Sequence, residues 1–190
     1  MDMRNNQTSD QIQPDPGFRR AVWLLPCAWA LHEAEEWNIL GWYHRYWVNV
    51  PEVTATDIRT GLAFIALVGF VWTLVGALFR NPKATASLVL PFFTAVASGN
   101  ALQHIYFVFR FGTYAPGVVT AALVVIPCTL YVTLRAVRNG LISRWYAAII
   151  YLPVIPLLAL TIRAGNEVSP VIHIIARFSS DLAQLIFGGR

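Results

Sequence analysis

Four stretches of this chain run 18 or more residues without Lys, Arg, Asp or Glu, and an arginine closes each one. Thr60 to Phe79 is 20 residues, Ala84 to Phe109 is 26, Pro116 to Leu134 is 19 and Trp145 to Ile162 is 18. A helix rising 1.5 Å per residue needs about 20 apolar residues to cross a ~30 Å hydrocarbon layer. Composition points the same way, with 56% of residues hydrophobic and 13% charged, and mean hydropathy +0.53. A soluble domain carries roughly 25% charged residues, so this chain lacks the charge to cover a water-exposed surface. The reading is a multi-pass integral membrane protein.

Two further segments are apolar but interrupted. Ala21 to Leu31 runs into His32-Glu33-Ala34-Glu35-Glu36, and Val168 to Phe187 contains His173, Arg177 and Asp181. Both read as spans with one polar face. The fold expected is therefore all-α, a polytopic transmembrane bundle of five or six helices. The alternative for the last segment is an amphipathic helix lying on the membrane. Residues 1–16 are polar and proline-punctuated, which reads as a disordered tail before a single domain over 17–190. No short apolar stretch there ends at a small-residue cleavage site, so no signal peptide is expected. Cys27 and Cys128 fall inside spans, where a disulfide framework is not expected. The net charge of +4 comes from arginines spread over loops. Without a GxGxxG, Walker or zinc-finger spacing, nucleic acid is not an expected partner, and no internal repeat is visible.

Basic residues favour cytoplasmic loops. With six spans, the N-terminal side holds nine of them (Arg4, Arg19, Arg20, Arg80, Lys83, Arg135, Arg138, Arg144, Arg190), and the other side four (Arg45, Arg59, Arg110, Arg163). The expected placement is a bacterial inner membrane with a cytoplasmic N-terminus. At 1.5 Å per residue, His32 then lies roughly 18 Å along span one, Glu36 roughly 24 Å, Asn100 about 24 Å along span three and His104 about 30 Å. A sixth span running back from Glu167 would put His173 roughly 9 Å below the outer end. All these groups share the outer half of the membrane.

Residues at i, i+3 and i+4 share a helix face. His32, Glu35 and Glu36 have that spacing, and so do Asn100, Gln103 and His104. Carboxylates inside a span are costly unless paired, protonated, metal-bound or wetted, and each option points into the bundle. Carboxylates and imidazoles from facing helices are also how bundles build metal sites, with a ligand set that suits zinc, iron or manganese. Two plainer readings compete. The glutamates could end span one in headgroup water beside an aromatic belt of Trp37, Trp42, Tyr43, Tyr46 and Trp47. Asn100 and His104 could be interhelical glue. His44 reads as interfacial. Arg177 and Asp181 read as an ion pair inside the bundle, with His173 as a further ligand or proton-transfer group. Tyr114-Ala115-Pro116-Gly117 is a turn, and it places Tyr114 at the mouth of the proposed site.

The segment His32-Glu33-Ala34-Glu35-Glu36 resembles the motif that names the HXXEE proteins, small bacterial membrane proteins. The resemblance extends through Asn100-Ala101-Leu102-Gln103-His104 and Tyr114-Ala115-Pro116-Gly117-Val118-Val119-Thr120, over most of residues 20 to 135. It implies His32, Glu35 and Glu36 as motif residues, with His104 as the second histidine. It supplies no reaction.

Three functions are expected from these residues. The first is a membrane enzyme with a divalent metal held by His32, Glu36 and His104. Glu35, Asn100 and Gln103 would support it, and Tyr114 and His173 would stand near its substrate. Without metal, His32, Glu35 and Glu36 would run acid–base chemistry. Its substrate would be lipid-like or apolar and enter from the bilayer, and an oligomer is compatible with the sequence. The second is a proton or cation carrier using the same groups. The third is a non-catalytic membrane protein whose polar cluster holds the bundle together.

Overall fold

The computed structural model describes residues 16–168 and 170–188. The tail expected over 1–16 lies outside them as far as residue 15, and Pro16 opens the first helix. The described residues are helical throughout, with no strand beyond an isolated bridge between Val48 and Glu167.

Helices α1 (Pro16–Ala21) and α2 (Leu24–Glu35) form the broken first segment. The break follows from Pro26, which has no N–H for the Val22 carbonyl four residues back. Leu25 N takes that carbonyl instead at 3.2 Å. A short α3 (Leu40–Tyr46) follows, and then α4 (Ala55–Ala77). Thr54 and Asp57 start α4 as a reciprocal capping box, with bonds of 2.7 and 3.2 Å. Next come α5 (Pro82–Phe92), a widened π turn over 93–97, and α6 (Ser98–Phe111). Then follow α7 (Val118–Thr120), a second π turn over 121–125, α8 (Ile126–Arg138), α9 (Arg144–Ile149), α10 (Val154–Ala164) and α11 (Pro170–Phe187).

Four continuous helical stretches are long and apolar enough to cross a membrane: 55–77, 82–111, 118–138 and 144–164. These coincide with the four charge-free runs. The protein is thus a multi-pass bundle in its helix lengths and composition. The two interrupted segments are helical as well, as α1–α2 and α11, but fall outside that set.

The broken first segment, polar end and all, is the centre of the molecule. Phe18, Val22, Leu25 and Trp29 form one buried core with Val89, Leu90 and Phe93 of the third segment and with Val125 and Val132 of the fourth. In contrast, α4 buries only Gly69, Thr73 and Gly76, while Leu67, Val71, Leu74 and Val75 face outward. That is the inverse of a soluble helix, and lipid is the medium that suits it. The buried face consists of small residues because backbones approach closely there. A Cβ on Gly76 would lie 2.3 Å from Val89 Cγ2.

Pro91 interrupts the third segment as it would any helix, leaving the Ser87 carbonyl without its helical donor. The Tyr146 hydroxyl donates to that carbonyl at 3.0 Å. Tyr146→Phe is therefore expected to lower stability by about 1 kcal/mol, read as a lower unfolding midpoint in detergent. An unchanged midpoint would mean lipid or water serves that carbonyl equally well.

One expectation needs correction. Arg177 and Asp181 are not an ion pair inside the bundle. Both are exposed on α11, and no ion pair joins them among the described residues. The face of α11 that packs inward carries Ala176, Ser179 and Ala183, because only small side chains fit against α4 at Gly61.

Candidate metal centre

The C-terminal end of α2 brings His32 and Glu36 to one face, one helical turn apart. His104 comes from α6. The His32 Nε2 atom lies 3.0 Å from Glu36 Oε1, and His104 Nε2 lies 2.9 Å from the same oxygen. The imidazole rings meet edge to face with centroids 5.1 Å apart. His32 is 0% exposed, Glu36 4% and His104 2%, so water does not reach the cluster. The reading of the glutamates as a solvated helix end therefore fails for Glu36, and for Glu33, which is buried too.

Glu35 points the other way round the helix and ties α2 to the loop and helix that follow α6. Its carboxylate accepts from the Tyr114 hydroxyl at 2.7 Å, Val119 N at 3.2 Å, Thr120 N at 2.8 Å and Thr120 Oγ1 at 2.5 Å. Tyr114 stands in that loop. Partial desolvation and then the Glu35 carboxylate push its phenol up to about 12, so it remains a donor across the physiological range.

Counting protons along this chain shows which ring nitrogen of His32 must carry one. Thr120 has one hydroxyl proton, and an acceptor-only carboxylate lies 2.5 Å away to take it. His32 Nδ1 lies 2.9 Å from the same hydroxyl oxygen, and so must be the donor to it. A neutral His32 then presents the lone pair of Nε2 to Glu36 Oε1. Two acceptors at 3.0 Å repel unless a proton or a metal cation lies between them. Neither His32 Nε2 nor Glu36 Oε1 completes a hydrogen bond by direction, although both are buried and close.

The donor set fits a metal. One nitrogen from each histidine and one Glu36 oxygen all lie within 4.8 Å of one another. Tetrahedral bonds of about 2.0–2.1 Å would space ligand atoms roughly 3.3 Å apart, a few tenths beyond the two nitrogen–oxygen separations of 3.0 and 2.9 Å. Backbone closes the fourth side. Gly117 has φ +93°, and a Cβ built there would sit 2.9 Å from His32 Cε1, 3.0 Å from Glu36 Oε1 and 3.0 Å from His104 Nδ1. Trp29 packs beside His32 and Phe107 beside His104, the latter within a ring cluster that includes Trp42 and Trp47.

A protein-family model described as "Protein of unknown function with HXXEE motif" matches residues 23–132, more than half of the chain. The chain belongs to the HXXEE family. No curated protein and no solved structure matches it. The matched HXXEE region contains every group of this cluster, from the motif at 32–36 through His104 to Thr120.

Of the residues expected at the HXXEE site, His32, Glu36 and His104 come together directly, and Glu35 and Tyr114 join through Thr120. Gln103 Nε2 donates to Thr161 Oγ1 on α10 at 2.6 Å, so its amide is engaged away from Glu36. Asn100 on α6 and His173 on α11 are half-buried, and neither hydrogen-bonds to the cluster among the described residues. His44 is exposed on α3. Sequence reasoning met Thr120 and Gly117 only as part of the resemblance and gave neither a role at the site. A threonine opening an apolar run and a glycine after a proline each look structural until tertiary contacts give them partners.

Proposed function

We propose that the protein is a membrane-embedded metalloenzyme whose His32, Glu36 and His104 hold one divalent transition metal: zinc, iron or manganese. The observation that carries this reading is the convergence of three buried donors, His32, Glu36 and His104, whose ligand atoms all lie within 4.8 Å of one another. Glu35 orients Thr120, Thr120 receives the Nδ1 proton of His32, and Nε2 faces Glu36 Oε1 at 3.0 Å, where a metal would take the place of a shared proton. Metal-binding histidines are held in this way, by an acceptor on the ring nitrogen that does not face the metal. Three protein ligands are one fewer than a tetrahedral ion takes, so a metal bound here would polarise a substrate oxygen or activate water at the fourth position once the Gly117 backbone, which closes that side, moves away. Glu35 and Thr120 position His32. Gln103 would have to leave Thr161 to meet a substrate, and Asn100 and His173 make no contact with the cluster among the described residues.

The substrate class proposed is lipid-like or otherwise apolar. Glu35 is half-buried, and around it Leu31, Tyr114, Val119 and Leu123 are exposed, which offers a lateral apolar approach beside the Glu35 tie. With the basic residues of the loops on the cytoplasmic side, this approach opens in the outer half of a bacterial inner membrane, away from the N-terminus. The carrier reading requires a polar path to both membrane surfaces. Beneath the cluster the buried side chains include Trp29, Leu25, Phe93, Ala97 and Val125, and the buried polar ones, Thr94, Ser98, Thr129 and Thr133, are hydroxyls with no ionisable group, which favours the enzyme.

The test is metal content. Protein purified in mild detergent should carry one transition metal per chain by mass spectrometry, and His32→Ala and His104→Ala should lose it while keeping their helix content. A folded wild type that takes up no zinc, iron or manganese on incubation would overturn the metal centre.

A further inference from the structure

One short loop shuts the donor cluster. Residues 112–117 join α6 to α7, with Gly112 ending α6 at φ +64° and Gly117 opening α7 at φ +93°. Gly117 is the end pressed on the donors, since a Cβ there would come within 2.9–3.0 Å of His32, Glu36 and His104. The Pro116 carbonyl lies beside the His104 ring without completing a hydrogen bond to Nδ1. At the other end, a Cβ on Gly112 would meet nothing within 4 Å, so that end has room to turn. Between the two glycines only Ala115 is fully buried, and a methyl group is a small anchor. Two side-chain hydrogen bonds tie Tyr114 to α2 and α3. Its hydroxyl donates to Glu35 at 2.7 Å, and Trp42 Nε1 donates to its carbonyl at 3.0 Å. Both bonds are at the exposed rim, where water or a lipid headgroup replaces a lost partner at small net cost. Glu35 also accepts from Thr120 N and Oγ1, which keeps the start of α7 in place when Tyr114 lets go.

We propose that residues 112–117 are a gate over the metal centre and that Tyr114 is its latch. To open, Tyr114 leaves Glu35 and Trp42, the loop pivots at Gly112, and Gly117 withdraws from His32, Glu36 and His104. Tyr114 is already 53% exposed beside Leu31, Val119 and Leu123, so its ring gives up little buried surface in turning outward. Gates of this kind absorb their motion at a few loop residues away from the chemistry. The inference rests on the metal-centre reading and adds to it how an ion or a substrate reaches the enclosed donors. Its consequence is kinetic. Neither latch bond involves a proposed ligand, so both are made with or without a metal, and weakening one speeds entry and exit alike.

The experiment times metal exchange in the full chain in mild detergent, with zinc or with the metal that wild type retains. Uptake is followed from a buffered metal solution and release into excess chelator. Tyr114→Phe should speed both by about fivefold, the worth of one hydrogen bond, and leave the affinity where it was. Trp42→Phe, which removes the other bond, should act in the same direction on both rates. Tyr146→Phe, which loses a hydroxyl on α9, should leave both rates alone. Unchanged rates in Tyr114→Phe would overturn the gate, because ions then reach the donors by another way. Faster release without faster uptake would overturn it too, because Tyr114 would then be shaping the ligands. A wild type that binds no zinc, iron or manganese would sink the metal centre itself, and the gate with it.

Discussion

Gly117→Ala is expected to lower stability by about 3 kcal/mol and to abolish metal binding. Two costs combine. A side chain at φ +93° strains the backbone by about 1–3 kcal/mol. The added methyl also meets His32, Glu36 and His104 at 2.9–3.0 Å, an overpacking that costs about 1–3 kcal/mol when neighbours cannot shift. These neighbours cannot easily shift, because Thr120 holds His32 and both histidines hold Glu36. Gly112→Ala is the control. Its φ is +64°, also in the left-handed region, yet a Cβ there meets nothing within 4 Å. Comparing the two unfolding midpoints in detergent separates backbone strain from contact with the cluster. Equal losses in both variants would show that Gly117 does not press on the site.

Glu35→Gln is expected to weaken metal affinity about 10- to 100-fold while leaving all three proposed ligands in place. The substitution keeps shape but turns one acceptor oxygen into a donor. Glu35 accepts four bonds, with Tyr114 and Val119 at Oε1 and both Thr120 donors at Oε2. Whichever way the amide turns, an NH2 group faces two donors. If it faces Thr120, the hydroxyl proton loses its acceptor, and His32 Nδ1 no longer has a fixed role. Competition against a chelator reads the affinity. Tyr114→Phe, which removes a single exposed donor, should change it by less. Unchanged affinity in Glu35→Gln would mean that Glu35 only ties α2 to the following loop.

Much of this protein is legible in one dimension. A span is a local property, set by run length and by the cost of burying a charge in hydrocarbon, so the four charge-free runs return as the four long apolar helices. The i, i+3, i+4 spacing is local too, which is why His32 and Glu36 could be assigned to one face, and why equal depth made His104 a plausible partner. The same rule misled at Gln103. It shares a face with His104 only approximately, and α10 supplies Thr161 at the angle where Gln103 points. At Arg177 and Asp181, spacing suggested a pair but carried no information on which side of α11 faces α4.

The sequence by itself determined that four segments are long and apolar enough to cross a membrane, and which side chains could serve as ligands, because each depends on residues near one another along the chain. Only the tertiary structure decided that the interrupted first segment lies at the centre and that Glu35 faces Thr120 rather than the metal donors. It alone placed Gly117 as the wall of the cluster. Those outcomes depend on residues 80 or more positions apart, brought together by the packing of α2 against α7 and α8, and no local pattern encodes such an encounter.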